Sequence, residues 1–367
     1  MTGLKTPLFV VVFFIFCLLA FMRKSYQLRI TKRFFFLATI LSLISLYGFL
    51  VGLLYSGEYD FGYAFYYALV FAPFVLLYFL LVLDLNFEKV FINALKFFTV
   101  LLFLFSIAVM RYFDELSIVI NTLNFQYQVA MIGFRDYGGI TFSMIYWKTS
   151  IMIVFLSAYL MDKKSIFSIL FFLVTLYLLF ISGTRANMFI AFLFFMWWIL
   201  LNLRSVLTKS SYKAAVLFLL FMFFLVLIAS LDSIVGTFLS PNETSNAIKL
   251  GHLQSYLSLF SDNLSTFLFG AGYGSGMYSY GTGSNLFSLE LTYFEILRFY
   301  GVFVALIFIS ILIYPIFILY RNKSTYLYGW LSYLLIAGSN PLILSSTGVF
   351  ALIFIYYLVF KKEIYAN

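Results

Sequence analysis

Long apolar runs are the feature that most restricts the fold of this chain. Segments 34–54 and 166–181, for example, contain no charged residue. A helix built from about 20 apolar residues crosses the roughly 30 Å hydrocarbon core of a bilayer. The runs lack the ten-residue alternation of apolar and polar side chains that outer-membrane barrel strands show. The sequence therefore predicts a bundle of membrane-spanning helices.

The composition agrees with this interpretation, since 64% of the 367 residues are hydrophobic, 10% are charged and the mean hydropathy is +1.05. We predict an all-α polytopic membrane protein with about eleven transmembrane helices, within a range of ten to twelve. Arg23 and Lys24 follow segment 7–22, whereas Lys5 alone precedes it, and this balance predicts a retained first span and not a signal peptide. The predicted spans are 7–22, 34–54, 63–83, 91–110, 144–160, 166–181, 187–201, 214–231, 288–319, 325–338 and 343–360.

The distribution of Lys and Arg over alternate loops predicts the orientation, because cytoplasmic loops retain these residues. One set of loops holds Arg23, Lys24, Arg29, Lys32, Arg33, Lys89, Lys163, Lys164, Arg204, Lys209, Lys213, Arg321, Lys323, Lys361 and Lys362. The other set holds only Lys5, Arg111, Arg135, Arg185 and Lys249. We therefore expect the N-terminus outside and the C-terminus in the cytoplasm.

This orientation places two long loops, 111–143 and 232–287, on the outer face. All other loops are short, so the outer face is where we expect function. No linker or repeat divides residues 1–367, which predicts a single transmembrane domain.

The charged and metal-binding residues exclude several functions. The net charge of +9 comes from basic residues spread over short loops, whereas a nucleic-acid-binding protein gathers them on one soluble surface. One cysteine and one histidine cannot form a zinc cluster. We expect no metal, no cofactor and no nucleic acid partner.

Arg185 lies in the stretch SGTRANMF, at the predicted outer end of an apolar span. An arginine at a membrane interface can simply extend its head group into water. Here no acidic residue is near in sequence, and Ser182, Gly183 and Thr184 would let the backbone approach a ligand. A guanidinium binds phosphate in a bidentate manner, so Arg185 is a candidate anion ligand.

The second outer loop ends in glycines 270, 272, 274 and 276, which do not fit a dinucleotide-binding pattern and predict a flexible, tightly turning loop. The next helix carries Glu290, Glu295 and Arg298. Glu295 and Arg298 are three residues apart and can form an internal ion pair. Glu290 is nearer the water boundary and is a candidate general base.

Other outer-face residues have two interpretations each. His252 shares a helical face with Lys249 and Tyr256, which predicts an amphipathic helix lying on the membrane, and a lone histidine is more often structural than catalytic. Arg111 and Arg135 have acidic neighbours and can form local pairs. Arg135, followed by Gly138 and Gly139 where we expect a helix to begin, is the better candidate ligand contact of the two.

Four stretches resemble the bacterial O-antigen and capsular polysaccharide polymerases of the Wzy type, which are related to the O-antigen ligase superfamily. They are SGTRA, SNAIKLGHLQSY, LFGAGYGS and ELTYFEILRFYGVF. The resemblance implies a GT-C-like, metal-independent glycosyltransferase at the outer face of the bacterial inner membrane. Its donor and acceptor would be glycans linked to undecaprenyl pyrophosphate, and a chain-length regulator would be a further partner.

The resemblance also implies roles for individual residues. Arg185, Arg135 and Lys249 would hold the donor pyrophosphate, and Glu290, or alternatively His252, would accept the proton of the acceptor hydroxyl. Glu295 and Arg298 would hold the helix register or the acceptor sugar. Aromatic rings near this site could stack on sugars; they are Tyr273, Tyr278, Tyr280 and Tyr293.

Two other functions remain open. An O-antigen ligase transfers finished polymer to an acceptor, but that group carries a histidine where this chain has Glu290. A flippase or exporter of lipid-linked glycans, a transporter, should carry charges in the middle of its helices and short loops on both faces. Here the charges lie at helix ends beside long loops, which favours the polymerase.

Overall fold

A computed structural model describes residue 15 and residues 32–127, 129–137, 140–163, 165–208 and 244–366. Apart from residue 15, the predicted spans 7–22 and 214–231 lie outside the described residues. The described chain is mostly helical. Its helices are α1 (Lys32–Leu53), α2 (Phe61–Ala68), α3 (Leu76–Val82), α4 (Phe87–Arg111), α5 (Ser117–Asn121), α6 (Ile153–Leu160), α7 (Ile166–Ile181), α8 (Arg185–Thr208), α9 (Thr244–Asp262), α10 (Leu264–Phe269), α11 (Thr292–Arg321), α12 (Tyr326–Gly338) and α13 (Ser346–Ala366).

Four helical segments among the described residues are long and apolar enough to cross a membrane: Phe34–Leu53, Phe61–Val82, Phe87–Arg111 and Thr292–Arg321. Shorter apolar helices occupy Ser150–Leu160, Ile166–Ile181, Arg185–Leu201 and Ser346–Lys361. Apolar helices of this kind support a helical, membrane-embedded protein. The total of eleven spans stays a prediction.

The described residues also contain two antiparallel hairpins, which the prediction of an all-α fold did not include. Strand β1 (Ala130–Tyr137) pairs with β2 (Ile140–Trp147), and β3 (Met277–Ser279) pairs with β4 (Ser284–Leu286). The predicted span 144–160 therefore begins as a strand and becomes α-helical only at Ile153. Gly138 and Gly139 separate two runs rich in β-branched and aromatic residues, a pattern that favours a two-residue hairpin over a helix start.

Local sequence explains two further differences at the ends of predicted spans. The span predicted at 63–83 is interrupted after Ala68 by a turn and a 3₁₀ helix, Ala72–Val75, with Pro73 in its first turn. Proline lacks the backbone N–H that a continuous α-helix would use. The span predicted at 288–319 begins only at Thr292, and Gly301 interrupts its helical geometry with φ of 68°.

The chain forms two compact units. Unit 1 comprises residues 1–94 and 248–367, and unit 2 comprises residues 95–247. In unit 1, α11 packs against α1, α10, α12 and α13. In unit 2, α7 packs against α6 and α8, and the β1–β2 hairpin contacts α7. The single domain expected from the sequence stays a prediction.

The glycine-rich loop of unit 1 is buried between helices. Gly270, Gly272 and Gly274 have φ of 82°, 73° and 77°, a region that residues with a Cβ seldom adopt. The loop's backbone bonds directly to α1, since the Tyr273 N–H donates to the Gly48 carbonyl over 2.8 Å. Residues 271–277 are all buried, so the predicted tight turns are present but the loop is packed and not a free surface loop.

We expect Gly272→Ala to prevent normal folding, whereas Gly283→Ala should be tolerated. Both glycines have positive φ, so both substitutions carry a similar backbone strain of about 1 to 2 kcal/mol. A Cβ at Gly272 would also overlap the backbone of Gly52, while nothing lies within 4 Å of a Cβ at Gly283. The measurement is the yield of monodisperse protein after detergent extraction. Equal yields for the two variants would contradict the packing argument.

Candidate functional site

Helix α9, the β3–β4 hairpin and the start of α11 form a charged cluster in unit 1. The hairpin turn fits against α9 because Gly251 and Gly281 have no side chains, and a Cβ at either would overlap the opposing backbone. The Tyr280 N–H donates to Ser255 Oγ over 2.8 Å, which fixes the turn on the helix. Tyr256, Met277 and Leu289 pack together beneath it as an apolar core.

Arg298 is the centre of this cluster and is fully buried. Its Nε and one terminal nitrogen donate to the two carboxylate oxygens of Glu295 over 2.8 and 2.7 Å. The other donors reach the Ser275 carbonyl at 2.7 Å, Ser275 Oγ at 2.9 Å and the Phe287 carbonyl at 3.0 Å. All five guanidinium N–H groups are therefore satisfied within the protein.

Glu295 is equally well bound, because it also accepts a 2.8 Å hydrogen bond from the Tyr256 hydroxyl. Burial, followed by the nearby Glu295 carboxylate, raises the pKa of Tyr256, so this hydroxyl stays protonated and donates. The geometry supports the structural role considered for Glu295 and Arg298. These side chains join α9, the glycine-rich loop and α11, and they present no unused donor to a ligand.

The second ion pair of unit 1 is different in kind. Lys249 Nζ and Glu290 Oε2 are 3.7 Å apart, and the two side chains remain 31% and 47% exposed. Exposed pairs contribute about 0 to 1 kcal/mol, so a substrate can separate this one at little cost. The Glu290 carboxylate is thus reachable from solvent, while its chain segment is anchored through Phe287 to Arg298.

His252 lies on the buried side of α9, and only 3% of it is exposed. Neither ring nitrogen has a hydrogen-bond partner among the described residues. Burial lowers its pKa below the ordinary 6.5, opposed by the carboxylates of Glu290 and Glu295 and reinforced by Lys249. The face that His252 shares with Tyr256 is packed into unit 1 and is not a free apolar surface. That α9 lies on the membrane stays a prediction.

Acidification should destabilise the wild-type protein through His252. In the unfolded chain His252 binds a proton near pH 6.5, whereas in the folded chain its pKa is lower and it resists protonation. The contribution of His252 to stability is therefore complete above about pH 6.5 and is lost as the pH falls. The measurement is the thermal midpoint in detergent between about pH 7.5 and pH 5.5. His252→Gln, which cannot titrate there, should lose less stability over this range. Parallel curves for the two proteins would contradict this role of burial.

Arg185 is the first residue of α8 in unit 2 and is partly buried. Its guanidinium donates to Oδ1 of Asn246. The preceding turn is tightly built, since Gly183 has φ of 66° and a Cβ there would overlap the Met144 side chain. Asn187 Nδ2 donates to Ser182 Oγ over 2.8 Å and closes the turn. The small residues of SGT thus serve close packing in this structure.

The other predicted site residues lie on different helices and strands. Arg111 is exposed at the end of α4, with its guanidinium 5.6 Å from the centre of the Tyr112 ring. Arg135 lies in β1 opposite Phe142, so the prediction that it precedes a helix is wrong. The Tyr293 hydroxyl donates to the Leu334 carbonyl over 2.8 Å. The structure brings Lys249, His252, Glu290, Glu295 and Arg298 together in unit 1, while Arg111, Arg135 and Arg185 belong to unit 2.

Sequence reasoning missed several partners of these residues. Ser275 and the Phe287 carbonyl bind Arg298, and Asn246 binds Arg185 across 61 positions of sequence. Small polar residues and backbone carbonyls carry no signal for such long-range contacts. The spacing of His252 and Tyr256 places them on one helical face, but it does not predict that the Tyr256 hydroxyl binds Glu295.

No three His, Cys, Asp or Glu side chains come together as metal ligands within the part of the chain that the structure describes. The metal-independent mechanism stays a prediction. Comparison of the chain with protein-family models, curated proteins and solved structures gave no match.

Proposed function

We propose that this protein is a polysaccharide polymerase of the bacterial inner membrane, with its N-terminus outside and its C-terminus in the cytoplasm. It joins oligosaccharide repeat units carried on undecaprenyl pyrophosphate into O-antigen or capsular polysaccharide at the outer face. The proposal combines the resemblance of SGTRA, SNAIKLGHLQSY, LFGAGYGS and ELTYFEILRFYGVF to such enzymes with the geometry of unit 1.

The observation that carries the proposal is the contrast between two neighbouring ion pairs. Arg298 and Glu295 are 2.7 Å apart and buried, with side chains 0% and 3% exposed. Lys249 and Glu290 are 3.7 Å apart and partly exposed. The first pair fixes the framework, and the second offers one base and one cation to a substrate. Acid–base chemistry needs a positioned but accessible carboxylate of this kind.

The proposed reaction is a glycosyl transfer. The acceptor hydroxyl gives its proton to the Glu290 carboxylate as its oxygen bonds to the anomeric carbon of the donor. The bond between that carbon and the pyrophosphate oxygen breaks, and its electron pair leaves with the undecaprenyl pyrophosphate. A cation stabilises the negative charge that develops on the leaving oxygen. Lys249, released from Glu290, supplies such a charge in unit 1.

Arg185 is proposed to bind a pyrophosphate oxygen through its guanidinium. This arginine is only partly buried at the N-terminus of α8, where backbone N–H groups and the helix dipole favour an anion. The guanidinium donates to the neutral amide oxygen of Asn246. A phosphate carries a full negative charge and can accept two parallel hydrogen bonds from a guanidinium, so it can compete with this amide for the donor.

The test is the surface polysaccharide ladder of a deletion strain that expresses each variant at a matched level. We expect Arg185→Ala to leave mainly single repeat units, and Arg185→Lys to restore only part of the long chains because Lys lacks the planar fork. Arg321→Ala is the matched control, since Arg321 is exposed at the predicted cytoplasmic end of α11. It should give wild-type chain lengths.

The same ladder separates the competing functions. Polymer that forms in the deletion strain but stays on its lipid carrier would identify a ligase. Repeat units that accumulate in the cytoplasm and never reach the outer face would identify an exporter. Wild-type ladders from both Arg185→Ala and Glu290→Gln would refute the proposed site.

A further inference from the structure

Two tyrosines of the β3–β4 hairpin lie exposed beside the charged cluster. Tyr278 is 51% exposed and Tyr280 is 52% exposed. Among the described residues, neither hydroxyl has a hydrogen-bond partner. The ring centres are 5.5 Å apart and the ring planes are inclined at 83°. The pair therefore forms an open aromatic corner instead of part of a packed core.

The other tyrosines suggested for sugar stacking are already engaged. Tyr273 is fully buried, and its hydroxyl bonds to that of Tyr300 over 2.5 Å. Tyr293 is 38% exposed but its hydroxyl is bound to the Leu334 carbonyl. Of the four tyrosines predicted from the sequence, the geometry leaves Tyr278 and Tyr280 with both an accessible ring and an unused hydroxyl.

The backbone holds this aromatic corner next to Lys249 and Glu290. The Tyr280 N–H is bound to Ser255 of α9, and Gly281 touches the carbonyl of Ile248, which directly precedes Lys249. On the other strand, Leu286 lies four residues before Glu290. Because the turn is already fixed in the free protein, binding of a ligand here does not need to order the loop, and the entropy cost of binding is smaller.

The end of the hairpin turn and the start of β4 are exposed to water and carry polar side chains. Thr282, Gly283, Ser284 and Asn285 are all exposed, and the Thr282 and Ser284 hydroxyls bond to each other over 3.1 Å. An aromatic pair that inserts into the bilayer would be surrounded by apolar side chains. The rim of this pair, formed by Thr282, Ser284 and Asn285, offers hydroxyl and amide groups instead. Rings combined with such groups match a ligand that has apolar C–H faces and many hydroxyls.

We propose that Tyr278 and Tyr280 form a sugar-binding subsite for a pyranose ring of the glycan. The slightly positive C–H groups on one face of a pyranose pack against the negative face of an aromatic ring. Asn285, which lies opposite Tyr278 in the hairpin, bonds to the sugar hydroxyls from the rim. The inference rests on the proposed function, and it names the part of the site that recognises carbohydrate near Glu290.

Saturation-transfer NMR on the purified full chain in detergent tests this subsite directly. The probes are the methyl β-pyranosides of glucose, galactose and N-acetylglucosamine. Tyr278→Ala combined with Tyr280→Ala should weaken binding of the recognised sugar about tenfold or more. Tyr278→Phe combined with Tyr280→Phe keeps the ring faces and should retain most of the signal. Tyr320→Ala, which removes a tyrosine that is 73% exposed on α11, should leave it unchanged.

Each outcome of this binding experiment either supports the sugar-binding subsite or contradicts it. A wild-type signal that falls only in the double Ala variant supports the subsite. A signal that survives in that variant, is absent from wild type for all three sugars, or falls equally in Tyr320→Ala overturns it. Loss in the double Phe variant overturns stacking as the mode of binding. The ladder of the deletion strain reports separately on polymerisation, so sugar binding by a protein whose deletion leaves long chains intact would refute only the proposed function.

Discussion

Glu290→Gln should reduce the rate of polymer formation by about 100-fold or more, the usual effect of removing a general base. The amide has nearly the same size as the carboxylate, but it cannot accept the acceptor's proton. The surrounding fold should be unaffected, because Glu290 is 47% exposed and its partner Lys249 is 3.7 Å away. The measurement is the initial rate of chain extension by purified protein on lipid-linked repeat units.

Glu58→Gln is the matched control for this experiment. Glu58 is also an exposed carboxylate of unit 1, and its backbone carbonyl accepts a hydrogen bond from the Gly276 N–H at 2.7 Å. This variant should extend chains at the wild-type rate. A Glu290→Gln enzyme that works within a few-fold of wild type would exclude Glu290 as the base. His252→Gln would then be the next variant to assay.

Arg298→Ala should destabilise the fold by about 3 to 5 kcal/mol, the range measured when one partner of a buried ion pair is removed. The substitution removes both guanidinium hydrogen bonds from the Glu295 carboxylate and leaves the Ser275 and Phe287 carbonyls without these donors. The thermal unfolding of detergent-solubilised protein, followed by tryptophan fluorescence, measures the effect. Arg321→Ala, an exposed arginine on the same helix, should change the midpoint little.

The combined variant Glu295→Gln with Arg298→Ala gives a second test of the same network. Removing both charges avoids leaving a carboxylate buried alone, so the combined loss should be smaller than the sum of the two single losses. It should not return to wild type, because the two carbonyls still lack their donors. Additive losses would show that the residues act independently.

The spacing of Glu295 and Arg298 predicted their pairing, since residues three apart on a helix are neighbours whatever surrounds them. The same spacing could not show that Arg298 also binds Ser275 and Phe287, which come from other segments. The sequence also placed Lys249 and Glu290 among the candidate residues. Their pairing across 41 positions depends on how α9 packs against the segment that precedes α11.

The glycine-rich loop and the hairpins show where pattern reasoning failed. Glycine spacing predicted tight turns, but the burial of residues 271–277 depends on backbone bonds to Gly48 and Glu58, more than 200 positions away. The β1–β2 strands were predicted as loop and helix because apolar runs in a membrane protein favour helices. A double glycine between two β-branched and aromatic runs is the signal that could have identified them.

The sequence by itself determined that the chain is apolar, largely helical and suited to a membrane, because a long apolar segment in hydrocarbon finds no other hydrogen-bond partners and must satisfy its backbone groups within a helix. It also limited the charged candidates to a few residues. Only the tertiary structure decided which of these charged side chains are buried and fully hydrogen-bonded and which are accessible to solvent. Burial and hydrogen bonding depend on neighbours brought from distant segments, and they fix Arg298 and Glu295 while leaving Lys249 and Glu290 open to a substrate.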